Sequence, residues 1–185
     1  GQLGQGHTNN IGVSENQMGD FLPPIDLGTG MFVTQIVAAP RSEAATCALL
    51  GDGRMKCWGN NRRGQLGQGH TTNIGVSENQ MGDFLSPIDL GTGMFVTQID
   101  LGPLHSCAVL GGGSLKCWGY NAKGQLGQAT ISHLGDDFGE MGDALPAFCL
   151  HNILGVSLGW EHTCVLLTDD SLRCFGANPY GQLGQ

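Results

Sequence analysis

Cys47-Ala-Leu-Leu-Gly-Asp-Gly-Arg-Met-Lys-Cys57-Trp58-Gly59 carries the strongest structural signal in the chain. Two short apolar runs flank three turn-forming residues, Gly51-Asp52-Gly53. That is the signature of a β-hairpin whose loop places Gly or Asp in the left-handed region. The pattern recurs as Cys107…Cys117-Trp118-Gly119 around Gly111-Gly112-Gly113, and as Cys164…Cys174-Phe175-Gly176 around Thr168-Asp169-Asp170. A three-residue loop sets Leu50 opposite Arg54, and counting back sets Cys47 opposite Cys57, Cys107 opposite Cys117 and Cys164 opposite Cys174. Directly opposed residues at a non-hydrogen-bonded site have Cα atoms about 4.5 Å apart, within disulfide reach. The pairs read as a staple in each hairpin if the compartment is oxidising, or as small buried apolar side chains. Cys149 has no counterpart in the other hairpins.

Outward from the hairpins, the word GQLGQ stands at Gly1, Gly64, Gly124 and Gly181. It divides the chain into units at 1–63, 64–123 and 124–180, with 181–185 opening a fourth. A chain that opens and closes on the same word reads as cut from something periodic. Residues 1–36 and 64–99 are identical except at Asn9/Thr72 and Pro23/Ser86, which marks a recent duplication. Upstream of each hairpin, Pro24-Ile-Asp-Leu and Phe32-Val-Thr-Gln-Ile in unit 1 add two strand-like runs around Gly28-Thr29-Gly30. Each unit is therefore expected to supply about four short strands and no helix.

Composition agrees with a turn-rich all-β chain. Of 185 residues, 32 are glycine and 13% are charged, against ordinary values of about 7% and about 25%. The glycines follow no collagen period, no basic block addresses nucleic acid, and no apolar run approaches the length of a membrane span. A hydrophobic share of 40% suffices for a packed core.

Ser106-Cys107-Ala-Val-Leu…Leu115-Lys-Cys117-Trp118-Gly119, followed by Asn121-Ala-Lys-Gly124-Gln-Leu-Gly127, resembles the repeat named after the regulator of chromosome condensation. The resemblance covers the whole chain in three copies. It implies all-β architecture: three four-stranded antiparallel blades forming a partial, open β-propeller arc. Family members usually close seven blades, and three lie below the four-to-eight range in which propellers close. Two exposed sheet edges would then invite another chain.

Chemistry finds few footholds. His105 and His162 each precede a Cys pair, but zinc prefers short Cys-x2–4-Cys spacings and a fourth ligand, and unit 1 has Ala45 instead. The expectation is no metal and no cofactor, with a histidine bonded to its own blade's backbone. Asp136-Asp137-Phe-Gly-Glu140-Met-Gly-Asp143 matches no calcium-loop spacing and reads as a solvated turn. Nucleophile elbows, phosphate loops and paired acid–base motifs are absent from the sequence, so no enzyme is expected.

Binding has more support. Unit 1 has equal numbers of acidic and basic residues, whereas unit 3 has seven acidic residues and one basic. Such a blade attracts a basic protein surface and repels nucleic-acid phosphate, or simply keeps the chain soluble. Asp136, Asp137 and Glu140 are candidate partner contacts on this ground. Trp160 and Glu161 join them from Gly159-Trp160-Glu161-His162-Thr163, with Trp160 as an anchor or as packing under a neighbouring loop. That word is similar to a Gly-Trp-Arg-His-Thr word of light-sensing family members, yet it occurs once and lacks the Arg, so light sensing is not expected. The loops Gly6–Asp20 and Gly69–Asp83 present the same residues twice, either for bivalent contact or as a by-product of duplication. Trp58, Trp118 and Phe175 are assigned to the core.

The reading that follows is a non-catalytic scaffold that binds proteins through loops and sheet edges. Guanine-nucleotide exchange on a small GTPase, implied by the resemblance alone, and a structural subunit of a large complex are the alternatives.

Overall fold

The computed structural model describes residues 1–40 and 44–184; Gln185, the last residue of the fourth GQLGQ word, lies outside them. Among the described residues, nine strands form three antiparallel sheets, one per unit. The first sheet comprises β1 (Val33–Ala38), β2 (Ala45–Leu50) and β3 (Met55–Gly59). The second comprises β4 (Val96–Leu101), β5 (His105–Leu110) and β6 (Leu115–Gly119), and the third β7 (Ile153–Leu158), β8 (His162–Leu167) and β9 (Leu172–Gly176). Strand order follows chain order in each sheet, as hairpin connections require.

The central hairpins have the register counted from sequence. Leu49 faces Met55 and Cys47 faces Cys57, and the same holds for Cys107 with Cys117 and Cys164 with Cys174. The turns need positive φ at Gly53, Gly113 and Asp170, conformations that only Gly, Asn or Asp reach without strain. Glycine also ends each last strand. At Gly59, φ is 108° and a Cβ would sit 2.7 Å from the Ala44 carbonyl oxygen.

The expectation of four strands per blade is corrected to three. Pro24-Ile-Asp-Leu and its counterparts run extended but form no named strand. Instead each lies against the neighbouring unit. Ile88 N–H donates to the Met55 carbonyl and Phe148 N–H to that of Leu115, at 2.9 and 2.7 Å. Ala147 adds an isolated antiparallel bridge to Lys116, and among the described residues the pairing goes no further. Short 3-10 turns at Gly19–Phe21, Gly82–Phe84 and Gly142–Ala144 precede these extended segments.

The core is the space between successive sheets. β2, β3, β5 and β6 are buried along their full length, because both faces are covered. One cluster joins Leu49, Met55, Cys47 and Cys57 of unit 1 to Ile88, Val96 and Ile99 of unit 2. A second joins Val109, Leu115 and the Cys107/Cys117 pair to Phe148, Ile153 and Val156 of unit 3. Trp58 and Trp118 are fully buried, while Phe175 is half-buried. Among the described residues, no helix is long and apolar enough to cross a membrane.

Candidate functional site

Each unit opens with a polar corner. The Asn61 carboxamide oxygen accepts from Leu66 N–H, and its nitrogen donates to the carbonyls of His70 and Thr72. Asn121 makes the corresponding bonds to Leu126, Thr130 and Ser132. The glutamine carbonyl of the GQLG word then accepts from the unit's own hairpin. Gln2 receives Thr46 Oγ1 and Trp58 Nε1, Gln65 receives Ser106 Oγ and Trp118 Nε1, and Gln125 receives Thr163 Oγ1.

Beyond the corner the chain loops out, in units 2 and 3 against the opening corner of the unit before. The Gln17 side-chain oxygen accepts from the amides of Gly12, Val13 and Ser14. Gln80 does the same for Val76 and Ser77, and Glu140 for Gly135 and Asp137 at 2.8 and 3.0 Å. Glu140, expected as a partner contact, therefore spends a carboxylate oxygen on its own loop. The matching positions of Gln17, Gln80 and Glu140 carried that signal in the sequence.

The loop returns to a clamp between units. Asp83 accepts from Thr29 N–H and Oγ1, and Asp143 from the same atoms of Thr92. The Thr29 and Thr92 backbone bonds, helped by the hydroxyls, hold both carboxyls below the usual aspartate range. Buried Lys56 donates to the carbonyls of Leu27 and Gly82, and Lys116 to those of Leu90 and Gly142. Burial draws both ammonium groups below the normal lysine value. Sequence reading overlooked these lysines, whose only trace was a cation recurring one residue before a core Cys.

Two matching clefts lie between loop and preceding corner. One, of about 380 Å³, is lined by Gln5, Pro24, Asp26, Glu78, Met81 and Phe84. The other, of about 430 Å³, is lined by Gln68, Pro87, Asp89, Phe138, Gly139 and Met141. Phe138 is 99% exposed. Asp136 and Asp137 precede it, and Asp136 lies at the backbone of Gly64. Trp160 and Glu161 stand elsewhere, lining a cleft of unit 3 with His162 and Tyr180. The sequence candidates thus fall into two places, an acidic loop over the unit 2–unit 3 junction and a Trp-bearing cleft.

The paired cysteines and His105 are committed to structure. Each Cys pair is bonded, with Cα atoms 4.1 Å apart, and Cys149 is free and exposed. His105 bonds the next unit through Thr163 Oγ1 at 2.8 Å, not its own blade's backbone. Burial, with a smaller effect of His162, lowers its pKa to about 3.

Three copies of one sheet, joined at two junctions by the same clamp, define a repeat. The model of the regulator of chromosome condensation (RCC1) repeat matches residues 33–65, 96–125 and 153–182, and a second RCC1 model matches 52–109. The chain belongs to the RCC1 repeat family. The family frame runs from the first strand of a sheet to the Gln of the next GQLG word, out of phase with the word-to-word division. Among relatives, the ultraviolet-B receptor UVR8 of Arabidopsis thaliana is 27% identical over 100% of this chain. The human probable E3 ubiquitin-protein ligase HERC4 is 34% identical over 81% of it. The chain spans 36% of the receptor and 13% of the ligase. Among solved structures, Prp20p from Saccharomyces cerevisiae aligns with a TM-score of 0.64 at 21% identity, covering 84% of this chain and 33% of Prp20p. Human WBSCR16 aligns with a TM-score of 0.64 at 20% identity, covering 95% of this chain and 40% of WBSCR16. At these identities the structural likeness speaks to fold: these RCC1 repeats are β-propeller blades.

Proposed function

We propose that this chain is a non-catalytic protein-interaction module, an open arc of RCC1 blades that takes basic protein segments on its loop face. The observation that carries the reading is the cleft at the junction of units 2 and 3, where Phe138 stands nearly free of the fold beside Asp136, Asp137 and Asp89. An exposed aromatic next to carboxylates suits a segment that offers both an apolar side chain and Lys or Arg. The net charge of −8 favours such partners over phosphate. Prp20p, whose structure was described with its binding properties to Gsp1p and histones, supports the idea that blades of this kind meet proteins. The disulfides hold each hairpin rigid beneath the loops, and their formation calls for an oxidising compartment.

Selection of random twelve-residue peptides on the immobilised chain tests the proposal. Enrichment of sequences combining Lys or Arg with an apolar residue is expected. Asp136→Asn/Asp137→Asn/Phe138→Ser should weaken the selected peptides at least tenfold. Enrichment without basic residues, or binding that the triple variant leaves intact, would contradict it.

A further inference from the structure

The two internal junctions carry clefts that are built alike. The Gln5 side chain donates to the Pro23 carbonyl at 3.0 Å, and that of Gln68 to the Ser86 carbonyl at 3.1 Å. A Cβ at Gly6 would sit 3.3 Å from the Ser77 carbonyl oxygen, and one at Gly69 3.4 Å from that of Asp137. The loop of the following unit therefore meets the corner in the same way at both junctions. The lining differs in one respect. Phe138 stands at the position of Glu78, and Ala144 at that of Phe84. The unit 2–unit 3 cleft thus has its exposed phenylalanine at the loop tip, whereas the unit 1–unit 2 cleft has Phe84, 71% exposed, in the 3-10 turn. Asp26 and Glu78 supply carboxylates to the latter, and the buried Lys56 ammonium is held by the carbonyls of Leu27 and Gly82. An exposed ring beside carboxylates is present at both junctions, supplied from different positions.

The clefts are also contiguous. Phe84 lines one and Ser86 the other, and two residues span at most about 7 Å of chain. We propose that the unit 1–unit 2 cleft is a second site for basic, partly apolar protein segments, and that one segment bearing two such elements occupies both clefts at once. This second site rests on the peptide reading of the unit 2–unit 3 cleft. Phe84 takes the apolar side chain, and Asp26 and Glu78 take the Lys or Arg. With two carboxylates against Asp89, Asp136 and Asp137, it is the weaker site and fills second. Occupation of the first cleft brings the second element to the shared wall, so its binding becomes intramolecular.

Isothermal titration of the whole chain tests this with two peptides. One bears a single Lys-Leu-Arg element. The other bears two, joined by about four Gly or Ser residues, whose reach of about 11 Å exceeds the shared wall. Two variants accompany the wild type: Glu78→Gln/Phe84→Ser, which changes only exposed side chains of the second cleft, and Asp136→Asn/Asp137→Asn/Phe138→Ser in the first. The single-element peptide should bind twice per chain, and the double-element peptide once and at least about tenfold tighter. Glu78→Gln/Phe84→Ser should remove one single-element site and the double-element gain, and the triple variant should keep the weaker site. A wild type that takes one single-element peptide, a gain that survives Glu78→Gln/Phe84→Ser, or a triple variant that binds nothing would overturn the second site and leave the first standing. Absence of binding by both peptides to the wild type would strike the first site, and the second with it.

Discussion

Because Thr163 Oγ1 gives its proton to the Gln125 carbonyl, it can only accept from His105, which fixes the proton on His105 Nε2. His105 Nδ1 then has no partner and is buried, so a second proton would be a buried charge with no acceptor. The folded pKa of about 3 lies below the unfolded value of 6.5. Between these limits the unfolded chain binds the extra proton, so stability falls as pH drops below 6.5, by about 1.4 kcal/mol per pH unit. Thermal melts from pH 7 to pH 4.5 should show this slope, and His105→Gln should remove its share. At Lys56 the ammonium satisfies two carbonyls, that of Leu27 in its own unit and that of Gly82 in the next. Lys56→Met leaves both unpaired and should cost about 1–3 kcal/mol in urea unfolding. Neither role was legible in the sequence, because each depends on an acceptor in another unit. His105 lies 58 positions from Thr163, and Lys56 lies 26 from Gly82.

The hairpin is the element that the sequence specified most completely. Short apolar runs around Gly51-Asp52-Gly53 determine turn, register and the Cys47–Cys57 pairing, because all three follow from local geometry. The supposed fourth strand was misread. Ile88 and Phe148 look like strand residues, yet each bonds to a neighbouring unit where the pairing goes no further than an isolated bridge. Burial also separates the three disulfides. Cys47–Cys57 and Cys107–Cys117 are enclosed between sheets, whereas Cys164 and Cys174 are half-buried. Under dithiothreitol, the Cys164–Cys174 bond should open first in differential alkylation followed by mass spectrometry. Replacing both Cys47 and Cys57 by Ser should cost about 2–3 kcal/mol in urea unfolding.

At the scale of the whole molecule, charge and repetition determine what the chain can meet. The acidity of unit 3 was visible from composition, but its focus was not. Glu140 turned inward to hold its loop, and Phe138, flanked by Asp136 and Asp137, became the exposed tip. Trp160 lines a separate cleft, with Glu161, His162 and Tyr180. The central claim is that the loop over the unit 2–unit 3 junction binds basic, partly apolar protein segments. Chemical-shift mapping of the isotope-labelled chain, titrated with a peptide alternating Lys or Arg with Leu, tests it most directly. The account predicts saturable shifts concentrated at residues 135–141 and at Pro87 and Asp89, reduced by added salt. Shifts confined to other surfaces, or none at millimolar peptide, would contradict it.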